Sequence, residues 1–289
     1  EPVGKLVDES LERISGALHL WCPPFSERHS PGAVEVLTTP VAEALRRLDA
    51  LEMPEQRSDA WHEFRRGVIT ASNAYKAFGG EGGRNSLIYE KCAPPQPRFG
   101  SASTEWGVKF EAVSVRLYEA TNGVKISEYG CVPHKSITFL AASPDGIVTT
   151  EGSPLWGRMI EIKNPFSRQI TGVPLKSYWT QMQLQMEVCD LEACDFLETK
   201  FTETEDRDEF RAAKTLEDGA VGSTGWIVTF ELDGGMRYHY SPDAGTVDEL
   251  TAWEAALMAD PANGNWVTTC CWTLTTYSCV TVRRNRQWF

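Results

Sequence analysis

The sequence predicts an α/β fold with one sizeable core. The chain has 289 residues, of which 42% are hydrophobic and 10% aromatic. Segments with apolar residues at every second position are interspersed with segments whose apolar residues recur at helical spacing, as strands and amphipathic helices require. Residues 1–55 are the least informative part and are interpreted as a partly helical N-terminal extension. Residues 56–289 are interpreted as the folded domain, with residues 189–289 as its C-terminal strands and helix.

Apolar periodicity and end signals predict the individual elements. The clearest helix covers residues 104–121, where Trp106, Phe110, Val113 and Leu117 form one stripe and an Asn-Gly pair follows. Asp59 and Ser72 are predicted to cap two shorter helices, which end near residues 67 and 78. Further helices are predicted at residues 6–20, 41–51, 174–188 and 243–258. Strands are predicted at residues 127–132, 138–142, 159–163, 193–201, 226–232 and 271–282.

Two carboxylates and a lysine form the strongest candidate site. Asp145 lies in the turn sequence S-P-D-G, and Glu161 and Lys163 lie in M-I-E-I-K. Alternation in a strand places Glu161 and Lys163 on the same face. If a hairpin brings the turn beside Glu161, two hard oxygen ligands and an ammonium group meet, as in a Mg²⁺ site. An ordinary hairpin surface with solvated charges is the alternative interpretation.

Other polar residues have both a functional and a plain structural interpretation. Arg65, Thr70 and a helix beginning at Ser72 would form an anion pocket, or Ser72 is only a cap beside a surface arginine. Glu111 lies at the edge of the apolar stripe, so it points either to solvent or into a cleft. Gln181 shares a helix face with Gln185 and could orient water or hold a phosphate, or both are simply good helix formers.

Composition bounds the class of protein. The formal net charge of −12 argues against a nonspecific nucleic-acid coat but is compatible with a nuclease whose basic residues line a channel. No apolar run approaches the length of a membrane span, roughly 18 residues, so a soluble protein is predicted. The eight cysteines form no C-x-x-C pair, which indicates reduced thiols in an intracellular, cytosol-like compartment and leaves nucleus and organelle open. Because the sequence begins at Glu1, it is interpreted as a fragment or processed chain, and a removed targeting peptide stays open.

The order of these motifs resembles the PD-(D/E)XK nuclease superfamily, and more narrowly the phage lambda exonuclease and YqaJ-type viral recombinase family. The helix glutamate, S-P-D-G, E-I-K and a helix with Y-W-T-Q-M-Q follow one another, and R-R-G-V-I-T-A-S is similar to the family's opening motif. The resemblance covers residues 59–188. It implies a restriction-endonuclease-like core, in which helices flank a central mixed β-sheet.

The resemblance also implies roles for the residues of the acidic site. Asp145 and Glu161 match the metal-binding carboxylates, with the backbone carbonyl of Ile162 as a third ligand. Lys163 matches the lysine that positions or activates the attacking water. Glu111 matches a helix glutamate that supports a second metal ion through water.

Two further regions are carried over in the same way. Gln181 matches the active-site glutamine of the helix after the E-I-K strand. Arg65, Thr70 and Ser72 fall where the family holds the 5′-terminal phosphate. One departure is Lys135, which stands where the family's prototype has an additional acidic residue, ten positions before the S-P-D-G aspartate.

The resemblance therefore implies a metal-dependent DNA exonuclease acting from duplex ends, 5′ to 3′ from a 5′-phosphate, in recombination or DNA processing. One or two Mg²⁺ ions, or Mn²⁺, are the implied cofactors. Double-stranded DNA ends are the implied substrate, and a single-strand annealing protein and a homotrimer are implied by analogy. An endonuclease of the same superfamily, of resolvase or restriction type, and an inactive DNA-end-binding module are the alternatives.

Overall fold

The structure is a computed structural model that describes residues 34–54, 58–93, 101–207, 224–242 and 246–289. The predicted helix at residues 6–20 lies outside the described residues. No helix in these ranges is long and apolar enough to cross a membrane.

Helices and strands alternate along the described chain. The helices are α1 (Val34–Asp49), α2 (Asp59–Gly67), α3 (Ala71–Phe78), α4 (Glu81–Cys92), α5 (Ala102–Asn122), α6 (Lys176–Cys189) and α7 (Val247–Ala259), with a 3₁₀ turn at Pro261–Asn263. The strands are β1 (Ile69–Thr70), β2 (Ile126–Ser127), β3 (Val132–Pro133), β4 (Leu140–Ala142), β5 (Gly146–Val148), β6 (Met159–Lys163), β7 (Ala193–Thr204), β8 (Thr224–Leu232), β9 (Gly235–Tyr240) and β10 (Asn265–Arg283).

A seven-stranded mixed sheet forms the centre of the fold. Its order is β2-β5-β6-β7-β10-β8-β9, in which β6 and β7 are parallel and the other neighbours are antiparallel. A smaller sheet of order β1-β4-β3 lies beside it. The predicted mixed α/β architecture with helices around a central mixed sheet is confirmed.

The two faces of β6 contact different helices. Ile160 and Ile162 pack in one cluster with Tyr118 of α5. Met159, on the opposite face, belongs to a second cluster with Met182 of α6. The strand is therefore buried between α5 and α6, which agrees with the alternation predicted from M-I-E-I-K.

The β5–β6 hairpin brings the predicted acidic residues together. Gly146 pairs with Ile160 in antiparallel register, so Asp145 and Glu161 are the next residues opposite each other. A Cβ atom on Gly146 would lie 2.3 Å from Cγ2 of Ile126, so the close approach of β2 requires glycine here. The S-P-D-G sequence thus provides both a carboxylate and the space for the neighbouring strand.

The described part of the predicted N-terminal extension is not separate from the core. Leu45 and Leu48 of α1 are buried in the cluster that contains Met186 of α6. The Arg47 guanidinium donates a 2.7 Å hydrogen bond to the Val188 carbonyl. The domain boundary at residue 55 stays a prediction, but residues 41–49 pack as part of the main body.

Several predicted element limits are wrong. The predicted strand at 127–132 is two short strands, β2 and β3, in different sheets. Ser58, and not Asp59, caps α2, because its hydroxyl accepts a hydrogen bond from the Trp61 amide. The β8–β9 hairpin was not predicted, although Asp233 and Gly234 both have the positive φ typical of a type I′ turn.

Candidate active site

Asp145 is fixed beside β6 by a backbone hydrogen bond. Its Oδ2 atom accepts a 2.6 Å hydrogen bond from the Ile162 amide. Removal from bulk solvent and repulsion from Glu161 raise the pKa of Asp145 well above its usual value, and Glu111 adds to this effect while Lys163 opposes it. The site therefore concentrates more negative charge than its own residues neutralise, which favours a bound cation.

Lys163 is held between the acidic residues and an aromatic ring. Its ammonium group forms an ion pair with Glu161, and its Nζ atom lies 5.1 Å from the centroid of the Tyr178 ring. Burial alone would lower the pKa of Lys163, but the charges of Glu161 and Asp145 raise it above the usual value. Lys163 is therefore a cation at neutral pH, which suits electrostatic stabilisation better than proton abstraction.

Gln185 of α6 contacts Glu161. Its Nε2 atom donates to Glu161 Oε2 at 2.7 Å and to the Ser143 carbonyl at 3.2 Å, and the side chain is fully buried. Gln181, the predicted active-site glutamine, lies one turn earlier and is half-buried. Its predicted role stays a prediction, whereas the contact of Gln185 follows from the geometry.

Glu111 joins the same cleft from α5. A cavity of about 500 Å³ is lined by Glu111, Asp145, Ile162 and Lys163, together with Phe166. Four of the predicted site residues therefore share one cleft. The carbonyl of Ile162 as a metal ligand stays a prediction.

Asn164 connects α5 to the end of β6. Its Nδ2 group donates to the Gly107 carbonyl at 3.2 Å, and its Oδ1 atom accepts from the buried Ser114 hydroxyl at 2.8 Å. Because Gly107 precedes Glu111 by one helical turn, this contact fixes the distance between the helix glutamate and Lys163.

The predicted anion pocket is a connected cluster. The guanidinium of Arg65 donates to Ser72 Oγ at 3.3 Å and to Ser143 Oγ at 2.8 Å, and it lies 4.3 Å from the centroid of the Trp61 ring. The hydroxyls of Thr70 and Ser72 are 3.2 Å apart. Ser143 was not among the predicted residues, although it stands in S-P-D-G, two positions before Asp145.

Ser72 is not a helix cap, contrary to the prediction. The helix begins after Thr70, whose amide donates to the Asn73 side chain at 3.0 Å. Ser72 therefore lies within the first turn, where its hydroxyl reaches Arg65. This position favours the anion-pocket interpretation over a plain capping serine.

The donor set fits a hard divalent cation on two carboxylates. Among the described residues no group of three or more His, Cys, Asp and Glu side chains is close enough to hold a metal ion. Asp145 and Glu161 are adjacent carboxylates, and carboxylate oxygens with water are the ligands that Mg²⁺ takes. The role of Glu111 through water stays a prediction.

Lys135 does not belong to the cleft. Its ammonium group lies 3.1 Å from Asp190 Oδ2 in an exposed ion pair. At the position where the prototype of the similar family has an additional acidic residue, this chain therefore has a surface lysine. Its partner, Asp190, also accepts a hydrogen bond from Arg284. Of the other predicted carboxylates, Glu111 and Asp145 line the cleft, and Glu161 is buried behind it, next to Lys163.

A helix glutamate, a hairpin aspartate and a Glu-x-Lys strand in a mixed sheet flanked by helices agree with the predicted restriction-endonuclease-like core. Residues 60–192 match the YqaJ-like viral recombinase domain, so the predicted resemblance to that family is confirmed over this segment. It contains each of the predicted site residues.

One curated protein is similar in sequence to part of this chain. Uncharacterized protein R354 of Acanthamoeba polyphaga mimivirus is 32% identical over 170 residues, which are 54% of this chain and 31% of the relative. The chain thus spans about a third of the length of this relative.

Two crystal structures are also similar. LHK-Exo in complex with dAMP has a TM-score of 0.47 and 20% identity, with 80% of this chain and 84% of that chain covered. An alkaline exonuclease, LHK-Exo, from Laribacter hongkongensis has a TM-score of 0.43 and 28% identity, with 50% and 74% covered.

Proposed function

We propose that this chain is a metal-dependent DNA exonuclease that hydrolyses duplex ends 5′ to 3′, starting from a 5′-phosphate. The observation that carries the proposal is the direct connection between two clusters. Ser143 bonds to Arg65 in the anion pocket, and Asp145, two residues later, lies beside Glu161 and Lys163. A bound terminal phosphate would therefore lie next to the acidic site.

Each cluster supplies one requirement of phosphodiester hydrolysis. One or two Mg²⁺ or Mn²⁺ ions held by Asp145 and Glu161 would lower the pKa of a bound water and neutralise charge on the phosphate. The Lys163 ammonium, fixed by Glu161 and Tyr178, would stabilise negative charge that develops on the scissile phosphate. Glu111 would orient water on the α5 side of the cleft.

The anion pocket sets the register and the polarity. Arg65 presents a planar guanidinium with two serine hydroxyls, an arrangement that suits a phosphate monoester with several acceptor oxygens. A terminal phosphate carries more charge than an internal phosphodiester, so this pocket favours ends over internal positions. Repeated cleavage and re-binding would then move the protein along the DNA from the 5′ end.

The family match supports a role in recombination. A YqaJ-like viral recombinase domain occupies residues 60–192. An exonuclease that exposes a 3′ single strand would provide the substrate for an annealing protein. An annealing partner, a homotrimer and an intracellular location are proposed from the resemblance alone.

The test compares linear and covalently closed circular duplexes, each with and without Mg²⁺. We expect hydrolysis of linear DNA only, with 5′-phosphorylated ends preferred over 5′-hydroxyl ends. Asp145→Asn and Lys163→Ala should abolish cutting, whereas Lys125→Ala, which removes an exposed lysine paired with Glu119, should not. Cutting of closed circles at a similar rate would indicate an endonuclease, and absence of cutting despite end binding would indicate an inactive end-binding module.

A further inference from the structure

Gln185 lies between the two clusters of the site. Its side-chain amide donates one hydrogen bond to Glu161 Oε2 and another to the main-chain carbonyl of Ser143. Ser143 in turn accepts a hydrogen bond from Arg65 through its hydroxyl. Ser143 thus connects the two clusters, because its hydroxyl bonds to Arg65 of the anion pocket and its main-chain carbonyl bonds to Gln185, which also bonds to Glu161.

The orientation of the Gln185 amide follows from its neighbours. A carboxylate oxygen and a carbonyl oxygen are both acceptors, so the NH₂ group must face them and Oε1 must point away. Oε1 is buried and makes no hydrogen bond within the described residues. The two hydrogen bonds of Nε2 therefore fix the side chain, and they satisfy its NH₂ group, which would be unfavourable if buried without a partner.

Each carboxylate oxygen of Glu161 accepts a hydrogen bond from a different side chain. Oε1 is engaged by Lys163, and Oε2 by Gln185. A carboxylate that accepts hydrogen bonds from two donors is restricted to one rotamer. Such hydrogen bonds also fix the direction in which a metal-binding carboxylate points its lone pairs. Without Gln185, Glu161 could turn toward Lys163 and away from the ion.

We infer that Gln185 is a positioning residue that orients Glu161 for metal binding and couples this carboxylate to the 5′-phosphate pocket through Ser143. This inference rests on the proposed function, since it concerns the same site. Because Gln185 is fully buried and bonds to Glu161 and Ser143, it would act through these two residues.

The chain offers a matched control on the same helix. Gln183 is also buried and also makes two hydrogen bonds, to the Arg283 carbonyl and from the Asn285 amide. These bonds hold the C-terminal segment and lie outside the acidic cleft. Gln183→Met and Gln185→Met therefore remove the same chemical group, with similar loss of buried hydrogen bonds.

The experiment measures Mn²⁺ and Mg²⁺ affinity by calorimetry on the full chain in the absence of DNA. We expect Gln185→Met to weaken binding by about 10- to 100-fold, as for other partners of metal ligands, and Gln183→Met to leave it unchanged. Melting temperature, recorded for each variant without metal, reports folding separately. A high Mg²⁺ concentration should restore much of the hydrolysis rate of Gln185→Met, which a purely structural defect would not show.

A second variant keeps the test decisive if Gln185→Met does not fold. Gln185→Asn retains the amide but is shorter by one methylene, so it cannot reach both acceptors, and it should show the same direction of change. Unchanged metal affinity in a folded Gln185 variant, or equal loss in Gln183→Met, would overturn the inference while the proposed function stands. A wild-type chain that binds neither ion would overturn both.

Discussion

Replacement of Arg65 by alanine tests the anion pocket, because it separates end recognition from hydrolysis. The guanidinium group of Arg65 donates hydrogen bonds to Ser72 and Ser143, and the same N–H groups would donate to a terminal phosphate. A hydrogen bond to a charged group contributes roughly 1.5–3 kcal/mol. Since about 1.4 kcal/mol corresponds to tenfold, the preference for 5′-phosphorylated over 5′-hydroxyl ends should fall about 10- to 100-fold.

The assay is kcat/KM on two duplexes that differ only in the 5′-phosphate, at constant salt. Arg66→Ala is the matched control, because Arg66 is the next residue on α2 and its guanidinium donates to the Ala93 carbonyl instead. We expect Arg66→Ala to keep the preference. The reasoning would be refuted if Arg65→Ala kept the full preference, or if both variants lost it equally.

Three further predictions concern stability. The pKa of Asp145 is raised in the folded state, so the metal-free protein should lose stability as pH rises above the usual carboxyl pKa of about 4. For the same reason, Asp145→Asn should melt at a higher temperature than the wild type at about pH 8 but not near pH 4. Equal pH dependence in both proteins, measured by melting in chelator, would contradict this assignment. Mg²⁺ at about 100 times its dissociation constant should stabilise the wild type by about 2.7 kcal/mol and Asp145→Asn by much less, again measured by melting. Gly146→Ala should lower the free energy of unfolding by roughly 1–3 kcal/mol through its clash with Ile126, whereas Gly82→Ala, which meets no atom within 4 Å, should be neutral or slightly stabilising in denaturant titration.

The acidic cluster was predictable because its geometry is local. A Pro-Asp-Gly turn and the alternation of M-I-E-I-K are enough to place Asp145, Glu161 and Lys163 near one another once the hairpin forms. The antiparallel register of Gly146 with Ile160 is the only additional fact required. The central mixed sheet was predictable from the same motifs through the family resemblance.

The contact of Gln185 with Glu161 was not predictable from the sequence. Helical spacing places Gln181 and Gln185 on one face, but which of them meets β6 depends on how α6 is rotated against the sheet. Packing of Trp179, Met182 and Met186 in the core sets this rotation. Long-range side-chain packing of this kind leaves no signal in local periodicity.

Ser143 illustrates a different limit. Its hydroxyl meets Arg65, which lies 78 residues earlier in the chain. The contact depends on the parallel pairing of β1 with β4, where Ile69 pairs with Leu140. These strands have two and three residues, too few for periodicity to indicate their pairing.

The most direct test of the central claim is a time course of hydrolysis of a linear duplex labelled at its 5′-phosphorylated end, with Mg²⁺. The account predicts that the label is released first, as a mononucleotide, and that Asp145→Asn releases none. Labelled fragments of many lengths, or release that does not depend on Asp145, would contradict a metal-dependent exonuclease that starts from the 5′ end.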